Sequence, residues 1–136
     1  MMETQEAANT KVVQDAYAAF GRGDIPAVLG NMSDDIHWRP VIGAAKHVPF
    51  SGERRGKAQV AEFFQQIAES EDFEQFEPRE FIAQGDTVVA VGHYRAKAKK
   101  SGRMFDSDFV MVFTLRGGKV VAFREFTDSA AINAAF

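Results

Sequence analysis

The sequence predicts an α+β domain, and three observations carry that prediction. Apolar residues recur at helical spacing through the first half of the chain. From Phe73 onward they recur with period two. Turn residues then divide that second part at hairpin intervals. Helices followed by an antiparallel meander give three helices covering one face of a strongly curved sheet.

Val12, Val13, Ala16, Tyr17 and Phe20 fall at i, i+1, i+4, i+5 and i+8, one stripe of an amphipathic helix that Gly21 and Gly23 stop. Asp24 caps a short second helix, with Pro26 tolerated in its first turn and Val28, Leu29 and Met32 on its buried side. Ser33-Asp34-Asp35 reads as a turn, and Ile36-His37-Trp38-Arg39 as a short strand ended by Pro40. Residues 41 to 56, with Gly43, Pro49, Ser51, Gly52 and Gly56, form a loop. In the third helix Val60, Phe63, Phe64 and Ile67 share a face, and Glu69-Ser70-Glu71-Asp72 closes it as a polar turn.

Four strands come next, at 73–83, 87–100, 103–115 and 119–127, with turns at Gln84-Gly85-Asp86, Ser101-Gly102 and Arg116-Gly117-Gly118. The tail from Asp128 to Ala135 has short-helix composition, with Asp128 as its cap. In the second of these strands Val88, Ala90, Gly92, Tyr94, Ala96 and Ala98 share one face. In the third, Phe109 to Phe113 is apolar on both faces, where a half-solvated strand alternates. A second copy of the chain covering the outer face accounts for that, so a homodimer through this face is expected.

The chain has 136 residues, the size of one domain, and 46% of them are hydrophobic, enough for a core. Net charge of -3 and a pI near 5.6 argue against a nucleic-acid partner. Cysteine is absent, which excludes disulfides, thiolate nucleophiles and cysteine metal sites. The polar start Met1-Met2-Glu3-Thr4-Gln5-Glu6 is unlike a signal peptide, and no apolar run approaches a membrane span. A cytoplasmic location is therefore expected, with neither membrane nor nucleic acid as partner.

Gly21-Arg22-Gly23 is not a nucleotide loop, because it comes after a helix and Pro26 stands where the third glycine belongs. His37, His47 and His93 lack the spacing of a helical zinc pair, so no metal site is expected. Arg95, Lys97, Lys99, Lys100 and Arg103 flank a hairpin tip. They read as an edge kept charged against edge-to-edge pairing, with an anion or acidic partner as the alternative. Glu125 is the carboxylate of interest. Alternation groups it with Phe123 and Thr127, but polarity alone leaves open which set faces in. Facing inward, its pKa rises into the range of a general acid or base near neutrality. Facing outward, it is an exposed Glu or one paired with Arg124 or Arg79. Tyr17 and Tyr94, the only phenols, lie on core-facing surfaces, where a buried hydroxyl needs a partner.

The helix ending Tyr17-Ala18-Ala19-Phe20-Gly21-Arg22-Gly23-Asp24 resembles the opening of the SnoaL-like branch of the nuclear transport factor 2-like superfamily. Ser33-Asp34-Asp35-Ile36-His37-Trp38, Gly56 to Phe64 and Phe123 to Asp128 resemble it as well, in order and spacing over nearly the whole chain. The superfamily includes ketosteroid isomerases, polyketide cyclases and limonene-type epoxide hydrolases. The resemblance implies a cystatin-like cone of helices and curved sheet around a deep apolar cavity, in a homodimer. The isomerase base position holds Pro40, its oxyanion-hole acid falls at Met111, and its helix-one Tyr at Ala16. The epoxide-hydrolase Arg-x-Asp pair falls at Gly92 and Tyr94, and only its last carboxylate is kept, as Glu125.

The alignment turns Glu125 and Tyr94 into the cavity, with Phe109, Met111, Phe113, Phe123, Thr127 and Trp38 as its walls and Phe63 contributed by the third helix. Such walls imply a pocket for a small, mostly apolar molecule. Cofactor-independent acid/base chemistry there centres on Glu125, with Tyr94 or Tyr17 as hydrogen-bond donor. Isomerisation, cyclisation and hydration are the reaction classes. The alternative is a non-catalytic carrier or dimeric interaction module.

Overall fold

The structure, a computed structural model, describes residues 4–136; Met1, Met2 and Glu3, the start of the polar N-terminal stretch, lie outside them. Helix α1 runs Gln5–Gly21, and its cap Thr4 accepts the Ala7 N–H at 3.0 Å. Val13 is buried on the expected stripe, with Tyr17 and Phe20 half-buried beside it. Gly23, at φ 72°, turns the chain into helix α2 (Ile25–Gly30), which Asp24 caps.

Strand β1 runs Met32–Ile42, well beyond the four residues expected. Ser33-Asp34-Asp35 is strand rather than turn, and Pro40 does not end it. The cause lies in its partner. β1 runs parallel to β6 (Lys119–Thr127), and the register breaks between Met32 and His37 and again between Arg39 and Ile42. Pro40 sits in the second break, where the ladder asks no N–H of it. The next loop buries Val48 and Phe50 and returns as β2 (Arg54–Arg55), which pairs with His37 and Trp38.

Helix α3 (Gly56–Ser70) buries Val60, Phe63 and Phe64, as its spacing predicts. The expected polar turn after it is absent: β3 (Glu71–Gln84) begins at once, with Glu71 buried. Bulges between Phe73 and Gln75 and between Pro78 and Glu80 bend β3. β4 (Thr87–Ala98), β5 (Met104–Arg116) and β6 continue the meander, and helix α4 (Ser129–Ala135) closes it. Asp128 accepts the Ala131 N–H at 3.1 Å, so it caps α4 as expected.

The sheet has six strands in the order β2-β1-β6-β5-β4-β3, antiparallel except for β1 against β6. β1 and β2 lie between α2 and α3, so helices and strands interleave at the start rather than segregate. α1 packs on β3 and β4, α3 on β1 and α4 on β5. On β4 the face from Val88 to Ala98 is buried throughout, as alternation predicts. No helix among the described residues is long and apolar enough to cross a membrane.

Candidate functional site

Cross-strand register decides the facing of Glu125. Met111 lies opposite it and Phe113 opposite Phe123, all on the face that the helices cover. Between that face and the helices is a cavity of about 90 Å³. Its walls include Trp38 and Phe123, stacked at 3.7 Å, with Phe63 edge-on to Trp38 at 5.6 Å. Met111 and Phe113 supply the β5 side, and Tyr17 and Tyr94 line the cavity from α1 and β4.

Two of the expected wall residues are elsewhere. Phe109 is buried behind the wall, its ring stacked on Phe76 at 5.3 Å and lying over Gly92. A Cβ on Gly92 would sit 2.4 Å from Phe109 Cζ, so the missing side chain is what lets the ring fill that space. Thr127, at the end of β6, lines a separate groove on the outer side with His93, Asp106, Val110 and Phe126.

The polar groups of the cavity are few. Glu125 is 7% exposed, and its Oε1 accepts the Val41 N–H at 3.0 Å. Burial pushes its carboxyl up to about 7, against the opposing pull of that N–H. Val41 holds this position at φ 37°, in the left-handed region that disfavours a β-branched residue. Backbone strain of this kind persists where surrounding structure over-determines it.

A second carboxylate, expected from its neighbours to lie in a polar turn, shares the cavity. Glu71 is 4% exposed, and its Oε2 is buried without a hydrogen-bond partner. Burial pushes it up to about 8, with the Glu125 charge adding to the effect. Glu125 ionises first, beside a neutral Glu71; Glu71 then has to ionise beside a charge. Alternation counted back from Phe73 places Glu71 on the inner face, the signal that finds it.

The Tyr17 hydroxyl donates to Met111 Sδ at 2.8 Å, a weak acceptor. Burial first, then the Glu125 charge, holds the Tyr17 phenol well above its ordinary value. Tyr94 is raised by burial, then by Glu125 and Glu71. Both phenols are therefore neutral donors, not bases. Trp38 Nε1 is also buried without a partner.

The histidines lie outside this cavity. His37 pairs with Glu53, His47 bonds the Asn133 carbonyl at 2.9 Å, and His93 sits between Asp106 and Asp108 on the outer face. On the basic hairpin, Arg95 pairs with Glu74 and Asp106, and Lys99 with Asp72 and the Ala68 carbonyl. β4 is paired on both sides, by β3 and β5, so this is not the charged sheet edge that was expected; the Arg95 and Lys99 charges are spent on pairs with neighbouring strands.

The model of the SnoaL-like domain matches residues 13–123, ending two positions before Glu125. A nuclear transport factor 2-like protein from Burkholderia xenovorans is 36% identical, with 99% of this chain and 98% of that one covered at a TM-score of 0.85. A second such protein, from Burkholderia thailandensis, is 28% identical over 98% of both chains, again at 0.85. TerC, solved in co-crystals with polyporic acid, is 29% identical, covering 94% of this chain and 97% of that one at 0.81. Among curated proteins none matches the sequence significantly.

Proposed function

Since this chain belongs to the SnoaL-like domain family, with the nuclear transport factor 2-like fold, we propose that it binds a small, mostly apolar molecule in the inner cavity and transforms it by acid/base chemistry centred on Glu125. The observation that carries this reading is a carboxylate inside an aromatic-walled cavity, oriented by the strained Val41 N–H and titrating near neutrality. A general acid or base is most effective when its pKa lies near the working pH. Tyr17 and Tyr94 are the neutral hydrogen-bond donors beside it. Isomerisation, cyclisation and hydration all use such a set without a cofactor.

Size restricts the ligand. Drug-sized molecules occupy roughly 300–1,000 Å³, and this cavity offers about 90 Å³. A compact molecule fits the walls as they stand. A larger ring system requires the Phe side chains to turn and widen the cavity. On the outer face, exposed Ile82, Val110 and Phe126 lie in an apolar band across the strands, with Val91 opposite Val110 and Val110 opposite Phe126. That band supports a homodimer through the sheet.

Trp38, the single Trp of the chain, lies in the cavity wall, so its fluorescence reads occupancy. A panel of small aromatic ketones, phenols and quinones, polyporic acid included, is expected to contain a compound that changes this emission saturably, and Ala16→Phe, which fills the space without adding a second Trp, to abolish binding. No saturable response across the panel overturns the pocket. A turnover rate equal in wild type and Glu125→Gln, where about a 10²–10⁴-fold loss is expected, overturns the role of Glu125, and saturable binding with no turnover leaves a carrier.

A further inference from the structure

The acid/base reading leaves Glu71 without a role. Its burial is not explained by packing: a carboxyl group placed among Phe and Ile side chains costs stability unless something is gained. It is fixed in place, because β3 starts directly from α3 and pairs Glu71 with Ala98. Lys99, the residue after its strand partner Ala98, gives its ammonium to the Ala68 carbonyl and Asp72. The titratable groups lining the cavity are Tyr17 on α1, Glu71 on β3, Tyr94 on β4 and Glu125 on β6; among the described residues α2, α3, β1 and β5 contribute none, and no Lys, Arg or His lines it. The two acids differ in one respect. Glu125 receives a backbone N–H, which favours its ionised form, whereas Glu71 Oε2 receives nothing.

We propose that Glu71 is a second catalytic group: Glu125, held as a carboxylate by the Val41 N–H, takes a proton from the bound molecule, and Glu71, held as a carboxylic acid, gives its proton to an acceptor oxygen of the same molecule. This rests on the acid/base reading and narrows it to a substrate that carries a removable proton next to a carbonyl-type oxygen. In the step, a substrate C–H bond breaks, its proton goes to Glu125, and its electron pair forms the new C=C bond. The carbonyl π pair takes the Glu71 proton and becomes an O–H bond. Glu125 ends protonated and Glu71 ionised, so the pair holds one proton before and after. Reversal at a second carbon completes an isomerisation.

Two measurements test this. Carboxyl resonances of ¹³C-labelled glutamate should show two groups titrating well above the ordinary range. Glu125→Gln should lower the Glu71 midpoint by removing its charged neighbour, whereas Glu71→Gln should leave Glu125 nearly unmoved, since Glu71 is neutral when Glu125 ionises. A Glu71 that titrates as an ordinary carboxylate, or ignores Glu125→Gln, overturns the proposal. The second is deuterium exchange into the α-positions of cyclopentanone, monitored by NMR. Glu125→Gln and Glu71→Leu are each expected to slow it about 10²-fold or more. Leu is chosen because an apolar replacement of similar volume is compatible with a buried acid's site; circular dichroism checks that the variant folds. Exchange that depends on Glu125 but is unchanged in Glu71→Leu overturns the role of Glu71 alone. No exchange above background in the wild type overturns both this role and the acid/base reading.

Discussion

The Val41 N–H donates to Glu125 Oε1 across 84 positions of sequence, from a backbone held at φ 37°. Strain of this kind costs about 1–3 kcal/mol, and the parallel pairing of β1 with β6 sustains it by placing Arg39 against Arg124 and Ile42 against Phe126. The contact makes the Val41 amide a reporter of the carboxylate. Its proton resonance is expected to move downfield as pH rises through about 7, where Glu125 ionises, and to stay in place in Glu125→Gln. An amide resonance that is flat across this range in the wild type contradicts the assignment.

Stability should fall as the solution is made alkaline. Both cavity acids hold their protons to higher pH when folded than at the ordinary value of 4.5. Over that interval the native state binds more protons than the unfolded one, so their contribution is complete below about pH 4.5 and is lost as pH rises through the folded values. For Glu125 alone the change is about 3 kcal/mol, at roughly 1.4 kcal/mol per pK unit. Urea midpoints measured from about pH 5 to about pH 8.5 should decline, and Glu125→Gln or Glu71→Gln should flatten the slope. A level wild-type profile places these carboxyls in water.

Gly92→Ala should be among the most damaging single changes in the sheet. Its Cβ would lie 2.2 Å from the Glu77 carbonyl oxygen and 2.4 Å from Phe109 Cζ. The expected loss is about 2–3 kcal/mol, read as a lower Tm. Adding Phe109→Leu should restore only part of it, because the Glu77 contact is backbone. Full restoration by the second change would show that the ring alone was the obstacle.

The outer face gives a separate test. Ile82 is 54% exposed, Phe126 42% and Val110 36%. Sedimentation of the wild type at tens of micromolar should give a dimer, and Phe126→Asp a folded monomer. A monomeric wild type removes the partner copy from the account.

Period-two alternation made the meander legible, and cross-strand pairing then placed Glu125, Tyr94, Phe123 and Met111 as the family resemblance implied. The first strand was not legible. Pro40 and the Ser33-Asp34-Asp35 run mark an end and a turn by local chemistry, but a parallel partner arriving from the far end of the chain, with its own register breaks, tolerates both. Glu71 was hidden by its polar neighbours Glu69, Ser70 and Asp72, which look like a solvated turn although the helix passes straight into the strand. Phe109 and Thr127 share the parity of the wall residues, yet side-chain volume and position along the strand, which parity does not encode, keep them out of the cavity. The strain at Val41 left no trace in composition at all.

Because β1 is flanked by β6 on one side and only the two-residue β2 on the other, it has little to pair with until the final strand exists. On the ribosome, β1 must therefore wait for nearly the whole chain to be synthesised before it gains its long partner and Glu125 can meet its donor. Until then Trp38 lacks Phe123, the ring it stacks on at 3.7 Å in the folded chain, and formation of the cavity wall waits on the most distant pairing in the sequence.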